Sequence, residues 1–195
     1  MKFPINSNIL ITGDSGKGKT SLLRCVAGLW NLRYGFLRCK YDCGHRGMLF
    51  LPQKPFFTEG SLRDQIIYPI ARKLSQIDKD ILYYLEKLDL NNLLEKCNGL
   101  DSNMQQSDWY DILSPGEGQR LSFVRLFFHK PPIALLDEAT SQIGEEAERV
   151  IYKLCREKEI NFISVGHRKS LYEFHDIRFH IEKNGEIIRK ELFDV

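Results

Sequence analysis

The chain has 195 residues, and 43% of them are hydrophobic, which is enough for one domain with a substantial core. Its 28 basic and 26 acidic residues leave a net charge of +2, too balanced for binding to nucleic-acid phosphates, so we expect no nucleic-acid partner. No window approaches the roughly 18 consecutive apolar residues of a membrane-spanning helix, and Met1 to Pro4 does not begin a signal peptide, so we expect the chain itself to be soluble.

The chain opens with a predicted strand over residues 1–12, followed by the segment GDSGKGKT from Gly13 to Thr20 and a helix-like run from Ser21 to Trp30. This order, with the fit to G-x-x-x-x-G-K-[ST], predicts a phosphate-binding loop, and a glycine-rich turn that fits by chance is the alternative. Glycines let N–H groups point at phosphate oxygens, and the helix adds its positive dipole end. We expect Lys19 to reach the β- and γ-phosphates and Thr20 to hold Mg²⁺. The predicted nucleotide contacts in this stretch are Gly13, Ser15, Gly16, Lys17, Gly18, Lys19, Thr20 and Ser21.

The next part of the chain changes from turns to helices. Leu37 to Pro52 is turn-rich and ends in an apolar strand over 47–51, which Gln53 follows directly. From Ser61 to about Cys97 the apolar residues recur at helical spacing, with a polar break at Ser75 to Lys79. We interpret this region as part of an inserted helical subdomain, at approximately 61–130.

Three residues within the turn-rich passage, Cys39, Cys43 and His45, lie close enough in sequence to suggest a metal site. No second ligand pair follows at zinc-site spacing, so ordinary side chains near a strand pair are the preferred interpretation. The five cysteines of the chain are odd in number and scattered, which favours reduced thiols over a disulfide framework.

The stretch SPGE from Ser114 to Glu117 predicts the start of a helix. Its serine fits the N-cap, its proline the first helical position and its glutamate the third, which together form a capping box. We expect this helix to run to about His129, because Pro131 and Pro132 cannot continue it.

The last third of the chain alternates between apolar strands and an amphipathic helix. The predicted elements are a buried strand from Ile133 to Leu136 that finishes in Asp137 and Glu138, a helix from Glu145 to Glu157, a strand from Asn161 to Val165 that ends near His167, and a terminal hairpin from Phe179 to Leu192 with Asn184 and Gly185 at its turn. This alternation predicts an α/β fold with a mostly parallel sheet flanked by helices.

Four polar residues at strand ends have the chemistry that triphosphate hydrolysis needs. Asp137 would hold the metal, and Glu138 would act as the base that deprotonates water. His167 could reach the γ-phosphate, and the Gln53 carbonyl could bind Mg²⁺ or water. Taken singly, each has an ordinary alternative: a solvated loop start for the two acids, a structural histidine, and a polar strand end.

The order of these features resembles the nucleotide-binding domain of the ATP-binding cassette (ABC) family. The matching motifs are Walker A at Gly13 to Thr20, the Q-loop at Gln53, the signature at Leu113 to Glu117, Walker B at Ile133 to Glu138, the D-loop at Ser141 to Gly144, and the switch histidine at His167.

The resemblance implies a P-loop NTPase fold, ATP and Mg²⁺ as cofactors, and ATPase activity. It assigns Glu138, His167 and Gln53 to catalysis and Thr20, Gln53 and Asp137 to the metal. It also implies two partners: a transmembrane domain in the same full-length chain, and a second copy of this domain. The signature residues Ser114, Gly116 and Glu117 would contact the ATP bound to that second copy, in a head-to-tail dimer.

Shorter strings are similar to subfamily D of this family, which is otherwise known for peroxisomal half-transporters of fatty acyl-CoA. They include LPQKPFF from Leu51 to Phe57, SLRDQ from Ser61 to Gln65, and SVGHR from Ser164 to Arg168. Within the subfamily, the stretch from Phe56 to Thr58, the Pro115 variant and the string from Val165 to His167 are most similar to the branch that moves cobalamin from lysosome to cytosol. This resemblance implies a homodimeric half-transporter with the domain on the cytosolic face of an organelle membrane, lysosomal by preference, with the endoplasmic reticulum and the peroxisome as alternatives.

Three departures from the family pattern bear on these expectations. Pro115 removes an N–H where the family usually has glycine, and Gly144 replaces the usual D-loop aspartate. The family's opening strands, with the aromatic residue that stacks on adenine, would lie before Met1. We therefore expect the chain to be the cytosolic piece of a longer protein, with low hydrolytic activity when isolated.

Two other function classes stay open at this point. One is a soluble cassette ATPase that does not transport, and the other is a regulatory cassette that binds ATP and hydrolyses it poorly. A GTPase is not favoured, because the chain lacks an Asn-Lys-x-Asp motif.

Overall fold

The computed structural model describes residues 3–4, 6–70 and 77–192. The strands in these ranges are β1 (Ile9–Gly13), β2 (Met48–Leu51), β3 (Ile133–Asp137), β4 (Asn161–Val165), β5 (Ile177–Ile181) and β6 (Ile187–Glu191). The helices are α1 (Lys19–Val26), α2 (Leu62–Ile67), α3 (Ile77–Lys87), α4 (Asn92–Lys96), α5 (Gln106–Ile112), α6 (Pro115–His129) and α7 (Glu145–Glu157), with a 3-10 helix at Lys169–Phe174.

The described strands form one sheet in the order β2-β3-β4-β1-β5-β6. All neighbouring pairs are parallel except β5 and β6, which form an antiparallel hairpin. The carboxyl ends of β1, β3 and β4 therefore meet at one edge of the sheet. Ligands of open parallel sheets bind at such an edge.

Alternate residues of each central strand pack on opposite faces of the sheet. Leu10 and Leu136 contribute to one core together with α6 and α7, whereas Ile11 and Leu135 contribute to the other core together with α1. Apolar side chains on both faces are what a buried parallel sheet requires. The predicted α/β class, the flanking helices and the terminal hairpin are confirmed.

Helix boundaries were predictable where the chain carries capping signals. Helix α6 begins after Ser114, whose hydroxyl accepts a hydrogen bond from the Glu117 N–H, and it ends at His129 before Lys130 in a left-handed conformation. Helix α7 and strand β4 also have the predicted bounds. These bounds are confirmed, and they were predictable because the signals for them lie within short stretches of sequence.

The predictions were less accurate elsewhere. The first strand is Ile9–Gly13, whereas the predicted strand covered residues 1–12. Residues 1, 2 and 5 of that predicted strand lie outside the described residues. The polar break at Ser75 to Lys79 is wrong from residue 77 onward, because residues 77–79 form the first turn of α3. Its other residues lie outside the described ranges. Acidic Asp78 and Asp80 favour that helix start through the helix dipole. In the described part of the chain, the five helices α2 to α6 lie between β2 and β3, and their status as a separate subdomain stays a prediction.

Candidate functional site

The segment from Gly13 to Thr20 forms a loop between β1 and α1. Gly16 and Gly18 have φ angles of 76° and 82°, a region that side-chain-bearing residues rarely adopt. A Cβ built on either glycine meets nothing within 4 Å, so the loop presents an open concave backbone at this point. The first N–H groups of α1 have no acceptor within the helix, and together with the positive end of the helix dipole they would attract an anion at this point. The loop therefore fits a phosphate group.

Lys19 places its ammonium inside this loop. Its Nζ donates hydrogen bonds to the carbonyl oxygens of Gly13 at 2.9 Å and Asp14 at 2.8 Å, and the residue is only 5% exposed. A buried cation held against backbone oxygens is well placed to meet phosphate oxygens instead. Ser15 is exposed on the loop, and Lys17 donates to the Lys183 carbonyl in the turn of the β5–β6 hairpin at 3.2 Å.

Thr20 and Asp137 meet where α1 faces the end of β3. The Thr20 hydroxyl donates to Asp137 Oδ1 at 2.8 Å. Burial raises the pKa of Asp137, and the hydrogen bond from Thr20 acts in the opposite direction. A hydroxyl and a carboxylate are hard oxygen ligands of the kind that Mg²⁺ prefers. These two residues therefore fit the predicted metal site.

Gln53, Glu138 and His167 come together beside this pair. Gln53 Nε2 donates to Glu138 Oε2 at 2.9 Å, and His167 Nε2 lies 3.4 Å from Glu138 Oε1. Glu138 also has a φ angle of 49°, a strained conformation for a non-glycine residue that is common at functional sites. Two side chains from distant parts of the sequence thus converge on one carboxylate.

The pairing of β3 with β4 produces this convergence. Asp137 pairs with Val165, and the Glu138 N–H donates to the Val165 carbonyl at 3.1 Å. Because Val165 ends β4, the following residues up to His167 are held beside the acidic end of β3.

The signature residues Ser114, Gly116 and Glu117 lie at the start of α6. Ser114 and Glu117 bond to each other in the capping box, and Glu117 Oε1 accepts from Lys96 and Asn92 at 2.8 Å each. A Cβ on Gly116 would approach the Gln142 carbonyl to 2.8 Å, so this helix start packs against the D-loop. The hydrogen bonds of Glu117 are thus directed to its own helix start and to α4, not to the loop at Lys19.

A family model described as "ABC transporter" matches residues 1–141. The chain belongs to the ABC transporter family. Two relatives bear the name "Lysosomal cobalamin transporter ABCD4". The Homo sapiens protein is 49% identical over 181 residues, covering 91% of this chain and 30% of that protein. The Mus musculus protein is 46% identical over 198 residues, covering 98% and 32%.

A Rattus norvegicus relative, "ATP-binding cassette sub-family D member 3", is 40% identical, over 98% of this chain and 29% of that protein. The resemblance to subfamily D of the ABC family is confirmed. The chain spans about a third of the length of these ABC relatives. A solved bacterial Atm1-family ABC exporter with ATP bound has a TM-score of 0.79 at 20% identity, over 97% of this chain and 35% of that one, which supports the fold.

The described part of this ABC domain offers neither a membrane-spanning helix nor a cluster of metal-binding side chains. None of its helices there is both long and apolar enough to cross a bilayer. Among the same residues, no group of three or more histidine, cysteine, aspartate or glutamate side chains could hold a metal ion. Cys39 and Cys43 are free cysteines on the exposed surface. Partial burial of each thiol group raises its pKa.

Sequence reasoning missed two polar residues of this ABC domain that touch the site. Gln119, 1% exposed on α6, bonds to the backbones of Gln53 and Gln142. Arg168, which follows His167, donates to the carbonyls of Ser141 and Ile143. A polar residue on an otherwise buried helix face was the available signal for Gln119. The partners of Arg168 could not be read from the sequence, because they depend on the packing of distant segments.

The lowered pKa of Glu117, the capping glutamate of the signature, predicts that the fold loses stability in acid. Burial acts to raise the pKa of Glu117, but hydrogen bonds from Lys96, the Ser114 backbone and Asn92 outweigh it and lower the pKa to about 2. Because this lies below the ordinary value of 4.5, the ionised group stabilises the fold above pH 4.5 and loses that effect as the pH falls towards 2.

We expect thermal unfolding measured against pH to show a steeper fall in Tm for the native chain than for Glu117→Gln in this acid window. Glu157→Gln, an exposed change of the same kind at the end of α7, should retain the native slope. Equal slopes for the native chain and Glu117→Gln would contradict the assignment.

Proposed function

We propose that this chain is the ATP-binding and ATP-hydrolysing motor domain of a membrane half-transporter. The observation that carries the proposal is the convergence of Gln53 and His167 on Glu138, beside the Thr20–Asp137 pair and the loop that holds Lys19. In this proposal the loop and Lys19 bind the phosphates, and Thr20, Asp137 and Gln53 hold Mg²⁺. Glu138 accepts the proton of the attacking water while His167 orients the γ-phosphate. The metal would neutralise charge on the phosphate oxygens.

The proposed active assembly is a head-to-tail pair of these domains. Ser114 and Gly116 sit at the N-terminus of a 15-residue helix, which can bind an anion through its free N–H groups. The bonds of this helix start lead to α4 and the D-loop. A second copy would bring its own α6 start to the phosphates bound at Lys19, and the transmembrane part of the full-length protein would hold the two copies together.

We propose cobalamin as the substrate, moved from lysosome to cytosol. The support is the sequence identity of 46–49%, over the aligned residues, to two proteins named lysosomal cobalamin transporters. The substrate would be bound by the transmembrane part of the full-length protein.

Reconstitution tests this proposal. The full-length protein in liposomes, oriented with this domain inside, should take up cobalamin when ATP is enclosed in the vesicles, and cobalamin should stimulate ATP hydrolysis. Glu138→Gln in the same vesicles is the control, and it should abolish uptake. Stimulation by fatty acyl-CoA instead would favour the peroxisomal-type alternative. ATP hydrolysis that no vesicle arrangement couples to uptake would favour a cassette that does not transport.

One observation favours a second candidate, a regulatory cassette with slow turnover. Pro115 occupies the first position of α6, so the signature helix offers one N–H fewer to a γ-phosphate. Pro115→Gly would restore that donor. A rise in ATP turnover of roughly tenfold or more in this variant would favour the slow cassette, because one transition-state hydrogen bond to a charged group is worth about that much.

A further inference from the structure

The side-chain amide of Gln119 is buried between three segments of the candidate site. Nε2 donates to the Gln53 carbonyl at 2.8 Å and to Ser141 Oγ at 3.1 Å, and it lies 3.4 Å from the Glu138 carbonyl. Oε1 accepts from the Gln142 N–H at 2.8 Å. One residue of the signature helix therefore contacts the Q-loop, the end of Walker B and the D-loop.

Two of these contacts are to the backbones of residues whose side chains bond to each other. The Gln53–Glu138 hydrogen bond of 2.9 Å depends on how the two backbones are placed, and Gln119 is hydrogen-bonded to one of them and close to the other. Gln53 is an exposed loop residue, and Glu138 lies just past the end of β3 with a strained backbone, so both lie outside regular secondary structure. Gln119 therefore bridges the two backbones at this point.

The D-loop is held at the same place. The Gln142 N–H is bound by Gln119, and the Gln142 carbonyl lies where a Cβ on Gly116 would meet it at 2.8 Å. The start of the signature helix and the D-loop are thus in contact at two points one helical turn apart.

We propose that Gln119 is a positioning residue for ATP hydrolysis, which aligns Gln53 with Glu138 and links both to the D-loop and the signature helix. The proposal rests on the proposed ATPase function. Gln119 does not touch the nucleotide in this proposal, so it should affect the rate of the chemical step and leave nucleotide affinity largely unchanged. Misplacement of a catalytic group by about 1 Å can cost about 10²-fold.

The neighbouring residue Ser122 offers a matched control. It is also buried on α6, and its hydroxyl donates to the Gly118 carbonyl of the same helix at 3.1 Å. Ser122→Ala removes a buried polar group from this helix without changing a contact to the Q-loop or D-loop.

The test uses the full-length protein with Gln119→Met, which removes all of these bonds, and Gln119→Glu, which keeps the acceptor for the Gln142 N–H. We expect kcat to fall by about 10- to 100-fold in both. The KM for ATP should stay within about threefold, and Ser122→Ala should keep the native kcat within about twofold. Native kcat in Gln119→Met would overturn the proposal while leaving the ATPase function intact. Absence of ATP hydrolysis in the native protein would remove the ATPase function and this inference with it.

A double-mutant cycle separates positioning from a general structural role. If Gln119 acts through Gln53, Gln119→Met should cost much less in a Gln53→Ala background, and the combined loss of kcat should fall well short of the product of the two single losses. Losses that multiply would show that Gln119 acts independently of Gln53 and overturn the proposal. Failure of both Gln119 variants to fold, judged by Tm, would also overturn it, because the residue would then be structural.

Discussion

In the full-length protein, Glu138→Gln should bind ATP as the native protein does and hydrolyse it about 10²- to 10⁴-fold more slowly. The amide preserves the shape of the side chain beside Gln53 and His167, but it cannot accept a proton from water. The effect is large because a positioned general base contributes only at the transition state.

Single-turnover hydrolysis measures this step directly, with the Kd of a fluorescent ATP analogue recorded in parallel. Glu146→Gln, the same change at an exposed position in the first turn of α7, is the matched control and should keep the native rate. A native rate in Glu138→Gln would assign the base role to another residue.

Mixed dimers should recover activity that neither parent variant has. Lys19→Ala breaks the phosphate loop in every chain, and Ser114→Arg places a bulky side chain where the γ-phosphate would dock in a shared site. A dimer with one chain of each kind has one site with both defects and one with neither. With random assembly about half of the dimers are mixed. If the two sites act independently, hydrolysis should reach roughly a quarter of the native rate in the unseparated sample and about half in the isolated mixed dimers.

Two affinity tags in sequence isolate the mixed dimers, and Tm checks that Ser114→Arg, which loses the α6 cap, still folds. The matched control carries both substitutions in one chain and pairs it with a native chain. A shared site predicts that this dimer is inactive, because each of its sites has one defect. Half-native activity in the control would mean that each site is built within one chain.

Much of the fold was predictable because its signals are local. The capping box at Ser114 and Glu117 predicts the start of α6, and the apolar run that ends in Asp137 predicts β3. The phosphate loop was predictable for the same reason, since its spacing, the strand before it and the helix after it are all contiguous in sequence.

The parts that escaped prediction depend on contacts between distant segments. Gln119 donates a hydrogen bond to the Gln53 carbonyl, which is 66 positions away in sequence. The sequence around either residue does not predict this contact. Helix α5 was not predicted, although Asp108 Oδ2 accepts a hydrogen bond from the Gln105 N–H at 2.9 Å at its start, because glutamine is an uncommon N-cap residue.

Titration of the full-length protein with fluorescent ATP in the presence of Mg²⁺ tests the phosphate-loop assignment most directly. Lys19→Ala should lose nucleotide binding, because it removes the buried ammonium that lies inside the loop and would bind the phosphates. Lys153→Ala, the same loss of charge on the exposed face of α7, should bind with the native Kd. Native affinity in Lys19→Ala, with Tm unchanged, would contradict the assignment of this loop to the phosphates of ATP.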